Sequence, residues 1–344
     1  MTQSAAQAPA RPELDAQPAG MLAGLFIGDA LAMPVHWYYD PEALRKDYGE
    51  VRAYLAPRNP HPFSILWRSS YKAPNPRGEI LHDQVRYWGQ RDVHYHQFQK
   101  AGENTLTAKL CRLLWQSLHE DGGWNPDAYL QRYIAYLTTP GTHNDTYLEE
   151  CHRDFFANYA RGAEPRQCAT EEKHIAGLAA LFPILAHETS DLASARAHAL
   201  ERLELTHPGH RMRWAANLML DLFDRVHQGT HIQEAATQLL PRVAKSVSAD
   251  QWQHLLSQNT TAVLNRAIGT VCYVEQAVPA ILYLLCKHGE DPEQALIENT
   301  HAGGDNVHRG AVLGALLGYA HGIDAWPQRW REGLVEGLPF STQT

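Results

Sequence analysis

Glycine recurs at every fourth position in two apolar segments that lie near opposite ends of this chain. The two sets are Gly20, Gly24 and Gly28, and Gly310, Gly314, Gly318 and Gly322. A glycine inside a helix costs roughly 0.5–1 kcal/mol relative to alanine, so a close contact must offset that cost. Residues four apart share one helix face, and a face without side chains lets another backbone approach closely. We therefore expect both segments to be central helices that pack on each other.

Apolar residues elsewhere follow the 3.6-residue period of amphipathic helices. The pattern predicts helices at residues 21–33, 104–118, 126–138, 147–160, 174–187, 191–204, 211–227, 231–245, 249–256, 260–267, 272–288, 291–299 and 307–320. Strand-like alternation is almost absent, and a short strand is predicted only at residues 51–55. We predict an all-α fold, a compact orthogonal multi-helix bundle. Residues 1–18, polar and rich in Pro and Ala, are predicted to be a disordered lead-in, and residues 19–344 a single domain.

Composition argues against several classes of protein. The net charge of −8 disfavours binding to a nucleic-acid backbone, which requires a basic surface. The five cysteines are scattered without a CxxC pair, so we expect neither a zinc cage nor a disulfide framework. We judge every apolar run shorter than the roughly 20 residues of a membrane span, and see no signal-peptide core. We expect a cytoplasmic protein without membrane partners, and the oligomeric state stays open.

Residues 56–98 differ from the rest of the chain, because they are rich in Pro, Trp, Tyr, His and Arg and show no sustained period. A long irregular stretch in a compact domain is usually functional or disordered, and disorder disfavours aromatic residues. We predict an ordered flap that confers substrate choice. The candidate contacts of the flap with a flat ligand are Trp67, Tyr71, Tyr87, Trp88, Tyr95 and His96. The alternative is that the aromatic side chains of the flap pack against the helices.

Polar residues cluster in loops that precede apolar helices. The clusters lie at residues 102–105, 142–146 and 206–210 and around Asp305. Oxygen atoms in such loops either cap the free N–H groups of the helix or bind a hard cation or a sugar hydroxyl. Several of these loops in one helical chain predict a site at the mouth of the bundle. The sequence lacks a nucleophile elbow, a phosphate-binding loop and an HExxH motif.

Four segments resemble motifs of the ADP-ribosylglycohydrolase family, in the order and spacing of that family. The segments are GLFIGDALAMPVHW, AGENTLTAKL, LELTHPGHRMRWAANL and HAGGDNVHRGAVLGALLG. They stand where the family has GxxxGDALGxPxE, TDDTxxTxxL, SxLTHxxxxxxxxA and GGDTDTxxAxxGALxG. The resemblance covers roughly residues 19–325 and implies an all-α, single-domain fold.

The resemblance also implies an activity. Members of this family hydrolyse the glycosidic bond at the anomeric carbon of ADP-ribose attached to a protein side chain or a small molecule. Typical members hold two Mg²⁺ ions between the TDDT and GGDTDT motifs. By this pattern the candidate metal ligands are Glu103, Asn104, Thr105, Asp305 and His308.

The chain departs from the family at each of these motifs. Glu103 and Asn104 stand for two aspartates, and Val307 stands for another. His308 replaces a threonine, and His36 replaces the glutamate that ends the first motif. Two carboxylates are few for two Mg²⁺ ions, whereas imidazoles suit softer divalent metals or metal-free acid–base chemistry. A divalent metal is the expected cofactor, but zero, one or two ions remain open.

We predict a hydrolase that cleaves an N- or O-glycosidic bond of a ribosyl or ADP-ribosyl substrate, either a small molecule or an ADP-ribosylated partner. The candidate catalytic residues are Glu103, Asp305, His36 and His308. The candidate substrate-binding residues are Asn104, Thr105, Asp145, Asn144, Asn306, Trp67 and Trp88. Asp29 is assigned a structural role. The alternative is a non-catalytic ligand-binding protein or a structural, crystallin-like member of the family.

Overall fold

The computed structural model describes residues 12–243 and 248–342, and α-helices make up most of this part of the chain. The helices are α1 (Ala16–Ala32), α2 (Pro41–Tyr48), α3 (Leu106–Glu120), α4 (Pro126–Thr138), α5 (Glu150–Ala160), α6 (Leu181–His187), α7 (Leu192–Glu204), α8 (His210–His227), α9 (Ile232–Val243), α10 (Ala249–Ser257), α11 (Thr260–Val263), α12 (Val274–His288), α13 (Pro292–Ala302), α14 (Asn306–His321) and α15 (Gln328–Gly333). A π-helical turn, Leu264–Ile268, follows α11. Short 3-10 segments connect several of the other helices. The all-α prediction is confirmed.

Two short strands bring the ends of the described chain together. β1 (Glu13–Leu14) and β2 (Ser341–Thr342) pair in parallel. Residues 12–18, predicted as part of a disordered lead-in, instead form β1 and the beginning of α1, whereas residues 1–11 lie outside the described residues. The lead-in prediction is therefore wrong for residues 12–18.

The strand predicted at residues 51–55 does not form. The N–H of Val51 donates to Nε2 of His301 at 2.8 Å, and the carbonyl of Arg52 accepts from the indole N–H of Trp330 at 3.1 Å. Side chains from α13 and α15 thus satisfy backbone groups that a strand would use. The alternating pattern reflects burial of Val51 in the core rather than sheet pairing.

Helices α1 and α14 cross the centre of the fold with their backbones in contact. A Cβ atom placed on Gly20, Gly24 or Gly28 would lie well inside 3.0 Å of backbone atoms in Gly318, Gly314 and Gly310, respectively. Almost every residue of both helices is buried. The predicted packing of the two glycine-bearing helices is confirmed. Because the pairing is antiparallel, the end of α1 lies beside the beginning of α14.

Within the described residues, the stretch Ala16–Val35 is long and apolar enough, by length and composition alone, to cross a membrane. This corrects the expectation that every apolar run is too short. Apart from its first two residues, the stretch is buried inside the protein. Its composition is therefore accounted for by its central position in the core.

Backbone hydrogen bonds join the loop after α1 to the loop before α14. Gly303 and Gly304 have φ angles of 66° and 62°, a conformation that favours glycine. The N–H of Trp37 donates to the carbonyl of Gly304 at 2.9 Å, and the N–H of Gly304 donates to the carbonyl of Tyr38 at 2.5 Å. These bonds hold the residues around Asp305 against the end of α1.

Residues 56–98 form the predicted flap, which is irregular apart from three short 3-10 turns. The hydroxyl of Tyr95 accepts from the N–H of Ile65 at 2.8 Å, and the indole N–H of Trp88 donates to the carbonyl of Thr146 at 2.9 Å. The N–H of Thr146 donates in turn to the carbonyl of Tyr95 at 2.9 Å. The flap is ordered and is joined to the loop before α5.

Replacing Gly314 by alanine should destabilise the protein, although alanine is the better helix former. The added Cβ would meet the backbone of Gly24, which cannot move without moving α1. The substitution gains about 1 kcal/mol of helix propensity. Overpacking outweighs this gain, so we expect the free energy of unfolding to fall by about 1–3 kcal/mol, or folding to fail.

Gly229→Ala is the matched control for this substitution. No atom lies within 4 Å of a Cβ at Gly229, so only its φ of 92° opposes alanine. Urea denaturation of both variants measures the difference. If Gly314→Ala is no more destabilising than Gly229→Ala, the close contact between α1 and α14 does not require glycine.

Candidate functional site

Asp305 occupies the N-cap position of α14 but does not cap the helix. Its side chain accepts no hydrogen bond from the N–H groups of the first turn. The carboxylate is fully buried, with Oδ1 lying 3.1 Å from Nε2 of His36 and 2.8 Å from Nδ1 of His308. Helix capping therefore does not explain this aspartate, which belongs to a cluster with two imidazoles.

The contact between α1 and α14 brings these three side chains together. His36 directly follows the 3-10 turn Met33–Val35 that ends α1. His308 lies in the first turn of α14, three residues after Asp305 and therefore on the same side of the helix. The cluster is thus assembled where the end of one central helix meets the beginning of the other.

Burial and charge act in opposite directions on the three groups. Burial lowers the pKa of His36 to about 3 in spite of the Asp305 carboxylate. Burial also disfavours the imidazolium of His308, but the carboxylates of Asp305 and Glu149 outweigh it and raise the pKa of His308 to about 9. Burial opposes ionisation of Asp305, yet His308 and His36 hold its pKa well below the usual range. The cluster favours an ionised Asp305.

His96 and Asp145 extend this cluster into a buried row of four side chains. Nε2 of His96 lies 2.8 Å from Nδ1 of His36, and Nδ1 of His96 lies 2.6 Å from Oδ1 of Asp145. The order is Asp305, His36, His96, Asp145. His96 belongs to the flap, and Asp145 belongs to the loop before α5. The backbone hydrogen bond between Thr146 and Tyr95 joins these two segments. The flap therefore supplies a side chain to the site.

Glu149 approaches the cluster from the N-terminus of α5. Its Oε1 lies 3.8 Å from Nδ1 of His308. Oδ1 of Asp305 lies 2.8 Å from the same nitrogen, so the two carboxyl groups are neighbours at Nδ1 of His308. Burial raises the pKa of Glu149, so its carboxyl group keeps a proton more readily than Asp305 does. One site therefore contains a carboxyl group that favours its protonated form, Glu149, and one that favours its ionised form, Asp305.

The site has an inner cavity and an outer cleft. The inner cavity of about 20 Å³ is lined by residues that include His36, His96 and His308. The outer cleft of about 390 Å³ is walled by aromatic side chains and by Arg68. Trp37, Tyr147 and Glu149 line both spaces. The inner cavity has room for about one water molecule, and the cleft lies in the size range of small-molecule sites.

Within the described residues, four buried polar atoms of residues that line the inner cavity, together with one of Asp305, lack a hydrogen-bond partner. They are Trp37 Nε1, His308 Nδ1, Asp145 Oδ2, Glu149 Oε2 and Asp305 Oδ2. His308 Nδ1 lies close to Asp305 Oδ1 but is not aligned for a hydrogen bond. Since buried polar groups are nearly always satisfied, these atoms indicate the place of a ligand, a water molecule or an ion.

Of the predicted catalytic residues, His36, Asp305 and His308 come together, and Glu103 does not join them. Glu103 accepts hydrogen bonds from Nζ of Lys109 at 2.9 Å and from the N–H of Lys100 at 2.9 Å, and it lines neither the cleft nor the inner cavity. The ammonium of Lys109 is buried and requires a carboxylate neighbour. The structure thus places Glu103 in an ion pair with Lys109 rather than beside Asp305, and its catalytic and metal-binding roles stay predictions.

Asn104 and Thr105 face Asp29 rather than Asp305. Asn104 Nδ2 donates to Asp29 Oδ1 at 2.9 Å, and the hydroxyl of Thr105 donates to Asp29 Oδ2 at 2.6 Å. The N–H of Thr105 donates to the same carboxylate at 2.8 Å. Asp29 thus fastens the start of α3 to α1. The substrate and metal roles of Asn104 and Thr105 stay predictions, and Thr105 also lines the inner cavity.

The other two predicted asparagines also have structural partners. Asn144 accepts from Nζ of Lys109 at 2.7 Å. Asn306 is fully buried and donates from Nδ2 to the carbonyl of Thr300 at 3.0 Å. Neither asparagine lines the cleft or the inner cavity. Their contact with substrate stays a prediction, which the lining of these two spaces does not favour.

The two predicted flap tryptophans lie outside the cleft lining. Trp67 is 41% exposed and has the guanidinium of Arg91 over its ring at 4.1 Å. Trp88 stacks on Tyr147 with ring centroids 5.6 Å apart. Trp88 therefore supports a wall of the cleft from behind, and Tyr147 contacts the cleft instead.

Sequence reasoning missed the roles of Glu149 and His96. Glu149 is one of two adjacent glutamates at the start of α5, where an acidic residue is typical of a helix N-terminus. His96 is one of four histidines in the flap and is predicted only as an aromatic contact with a flat ligand. Its hydrogen bonds with His36 and Asp145 depend on the irregular path of the flap, which no periodicity predicts.

Comparisons with known proteins agree with this architecture. A solved structure described as an "ADP-ribosylglycohydrolase-related protein complex" has a similar fold, with a TM-score of 0.60 and 20% identity over 92% of this chain and 92% of that chain. At this identity the likeness shows the fold alone. A search of curated proteins gives no match. The family model for ADP-ribosylglycohydrolases matches residues 11–342, so the chain belongs to the ADP-ribosylglycohydrolase family.

Proposed function

We propose that this protein hydrolyses an N- or O-glycosidic bond of a ribosyl or ADP-ribosyl substrate. Membership of the family supports a glycohydrolase-like activity. The observation that carries the proposal is the position of Glu149, which lines both the cleft and the inner cavity and lies beside the cluster of Asp305. A sugar in the cleft would thus meet a carboxyl group at the point where the two spaces join.

The two carboxyl groups have the properties that glycosidic hydrolysis requires. The reaction needs an acid that protonates the leaving group and an anionic group that stabilises the cationic sugar or activates water. Environments that push two carboxyl pKa values apart assign these roles. We assign Glu149 as the general acid, because burial raises its pKa, and Asp305 as the anionic group. The inner cavity has room for the attacking water.

The Mg²⁺ pair of typical family members does not fit the residues of this site. Mg²⁺ requires oxygen ligands in near-octahedral geometry. Asn104 and Thr105 are engaged by Asp29, and Val307 offers no ligand atom. The groups that face Asp305 are imidazoles. The roles of Glu149 and Asp305 therefore follow from the side chains of this chain without Mg²⁺.

The walls of the cleft favour an ADP-ribosyl group over a plain ribosyl group. Trp37, Tyr95 and Tyr147 present aromatic surfaces that suit a flat base or the apolar face of a sugar. Arg68 is a cation at the same cleft, and a guanidinium binds phosphate oxygens in a bidentate manner. A diphosphate would thus have a partner within the cleft.

A purely structural, crystallin-like role is disfavoured by the unpartnered atoms around the inner cavity. Such atoms lower stability, and a protein without a ligand gains nothing from them. A protein that binds a ligand without reaction would keep the same cleft. Binding without product release in the assays below would identify that alternative.

Glu149→Gln should lower kcat by about 10²–10⁴-fold, because the amide cannot protonate the leaving group. The assay measures sugar release by mass spectrometry from a panel of ADP-ribosylated peptides and N- or O-ribosylated small molecules. Asp305→Asn should cause a loss at least as large, since it removes the buried negative charge.

Glu150→Gln is the matched control for Glu149→Gln. Glu150 is the adjacent glutamate, is exposed and lines only the outer cleft. We expect its kcat to stay within a few-fold of the unmodified protein. Full turnover by Glu149→Gln would rule out the assigned acid.

Arg68→Gln should raise KM for substrates that carry a diphosphate by about 10–100-fold, because one charge-assisted contact is lost. KM for ribosyl substrates without phosphate should not change. Arg91→Gln, which removes a nearby flap cation outside the cleft lining, should leave both values unchanged. An equal effect of Arg68→Gln on both substrate classes would contradict the diphosphate contact.

A further inference from the structure

We propose that His36, Asp305 and His308 bind a single divalent transition-metal ion of the zinc class. One ligand atom from each residue lies within 4.8 Å of the others, and the exposed fractions of the three residues are 1%, 0% and 3%. Two imidazole nitrogens and one carboxylate form a set that suits Zn²⁺ and leaves a coordination position open. With the ion bound, Asp305 would serve the proposed hydrolysis as a ligand of the metal rather than as a free anion. Metal binding is measured without a substrate, so the two proposals are tested separately.

Two atoms of this set are buried without a hydrogen-bond partner in the described part of the chain. They are Asp305 Oδ2 and His308 Nδ1. His308 Nδ1 lies 2.8 Å from Asp305 Oδ1 without the alignment of a hydrogen bond. A nitrogen this close to a carboxylate holds either a proton or a cation, and a bound ion would displace the proton that otherwise lies there. A cation between them would satisfy both groups.

The row behind His36 holds this imidazole in the form that binds a metal. If Nε2 of His36 is a ligand, its proton is on Nδ1 and is donated to Nε2 of His96, 2.8 Å away. His96 then carries its own proton on Nδ1 and donates it to Asp145 at 2.6 Å. Every nitrogen has a partner, and both rings are neutral. Metal-bound histidines usually donate their second N–H to such an outer group.

The hydroxyl of Thr107 can set the tautomer of His308, as His96 sets that of His36. Nε2 of His308 lies 3.1 Å from this hydroxyl oxygen. When Nε2 carries the proton and donates it to Thr107, Nδ1 keeps its lone pair and faces Asp305. The hydrogen bonds of both imidazoles therefore leave a lone pair directed at one carboxylate.

Protons alone satisfy this arrangement less well than a metal. Without a cation, Nε2 of His36 and Nδ1 of His308 must both be protonated to avoid facing Asp305 with lone pairs. The row from Asp305 to Asp145 then needs one proton more than two neutral rings hold, so one buried imidazolium arises in the row, whereas His308 stays neutral because its Nε2 can accept from the hydroxyl of Thr107. One divalent ion instead supplies two positive charges, which balance the carboxylates of Asp305 and Asp145 and leave the imidazoles neutral.

A second group of metal-ligating side chains lies nearby but is less suited to an ion. Its members are Glu149, Cys151 and His152. Nδ1 of His152 is hydrogen-bonded to the hydroxyl of Tyr133 at 2.7 Å. Burial raises the pKa of the Cys151 thiol well above its usual value, and a thiol must lose its proton to bind a metal. His152 therefore provides a buried control at the same cavity.

The test begins with the unmodified full chain. After dialysis against a chelator, the protein is titrated with Zn²⁺, Co²⁺ or Mg²⁺ by calorimetry and thermal unfolding. We expect one tight equivalent of Zn²⁺ per chain, a rise in Tm with Zn²⁺, and a visible absorption band with Co²⁺. Millimolar Mg²⁺ should not displace Zn²⁺. Absence of a tight equivalent, or displacement by Mg²⁺ at a concentration equal to that of Zn²⁺, overturns the proposal.

Variants then locate the ion. His36→Gln, His308→Gln and Asp305→Asn should each abolish the tight equivalent, whereas His152→Gln should keep it. Circular dichroism of the metal-free variants shows whether they are folded. Loss of the ion from His152→Gln but not from His36→Gln would place the ion at the second group and overturn the assignment. The titration of the unmodified protein remains decisive if a variant fails to fold.

His96 and Asp145 are positioning residues in this proposal, because they act on the ion through His36. His96→Ala should weaken Zn²⁺ binding by about 10–100-fold and change the Co²⁺ absorption band. His96→Gln, whose amide oxygen can accept from His36, should restore much of the affinity. A purely structural His96 would lower the Tm of the metal-free protein and leave Zn²⁺ affinity unchanged in both variants, which would overturn this role.

Discussion

The backbone contact between α1 and α14 is the constraint on which the rest of the site depends. Because no side chain separates the two helices, their relative position is set by main-chain atoms alone. The contact places the residue that follows α1 beside the first turn of α14. His36, Asp305 and His308 then meet without any contribution from a long, mobile side chain. Few other arrangements hold three groups from distant parts of a chain with so little freedom.

This scaffold explains how the polar residues at the helix ends differ from the family pattern without loss of the fold. Each polar residue that departs from the family pattern before α3 has a polar partner in this structure. Asn104 and Thr105 complete the hydrogen bonds of Asp29, and Glu103 neutralises the buried Lys109. The side chains of Glu103, Asn104 and Thr105 thus join the loop before α3 to the neighbouring helices. The remaining polar centre is rich in nitrogen and is built around one carboxylate.

Much of the fold follows from local signals, whereas the site follows only in part. Glycine spacing predicts the central helix pair, and apolar periodicity predicts most helices, but α2 and α15 are too short and polar to show it. His36, Asp305 and His308 are found through motif positions. The sequence does not reveal that Glu103 pairs with Lys109, because no pattern marks this lysine, one turn into α3, as a buried cation. Glu149 and His96 depend on how the flap and the loop before α5 meet, which no local pattern contains.

The pairing of α1 with α14 also has a consequence for biosynthesis. Helix α1, an apolar and buried helix, is made well before its partner α14, because most of the chain lies between them. β1 and β2 are separated by an even longer stretch of chain. Contacts of such long sequence separation form late and slowly. Until α14 is made, the apolar surface of α1 therefore lacks the helix that covers it in the folded protein.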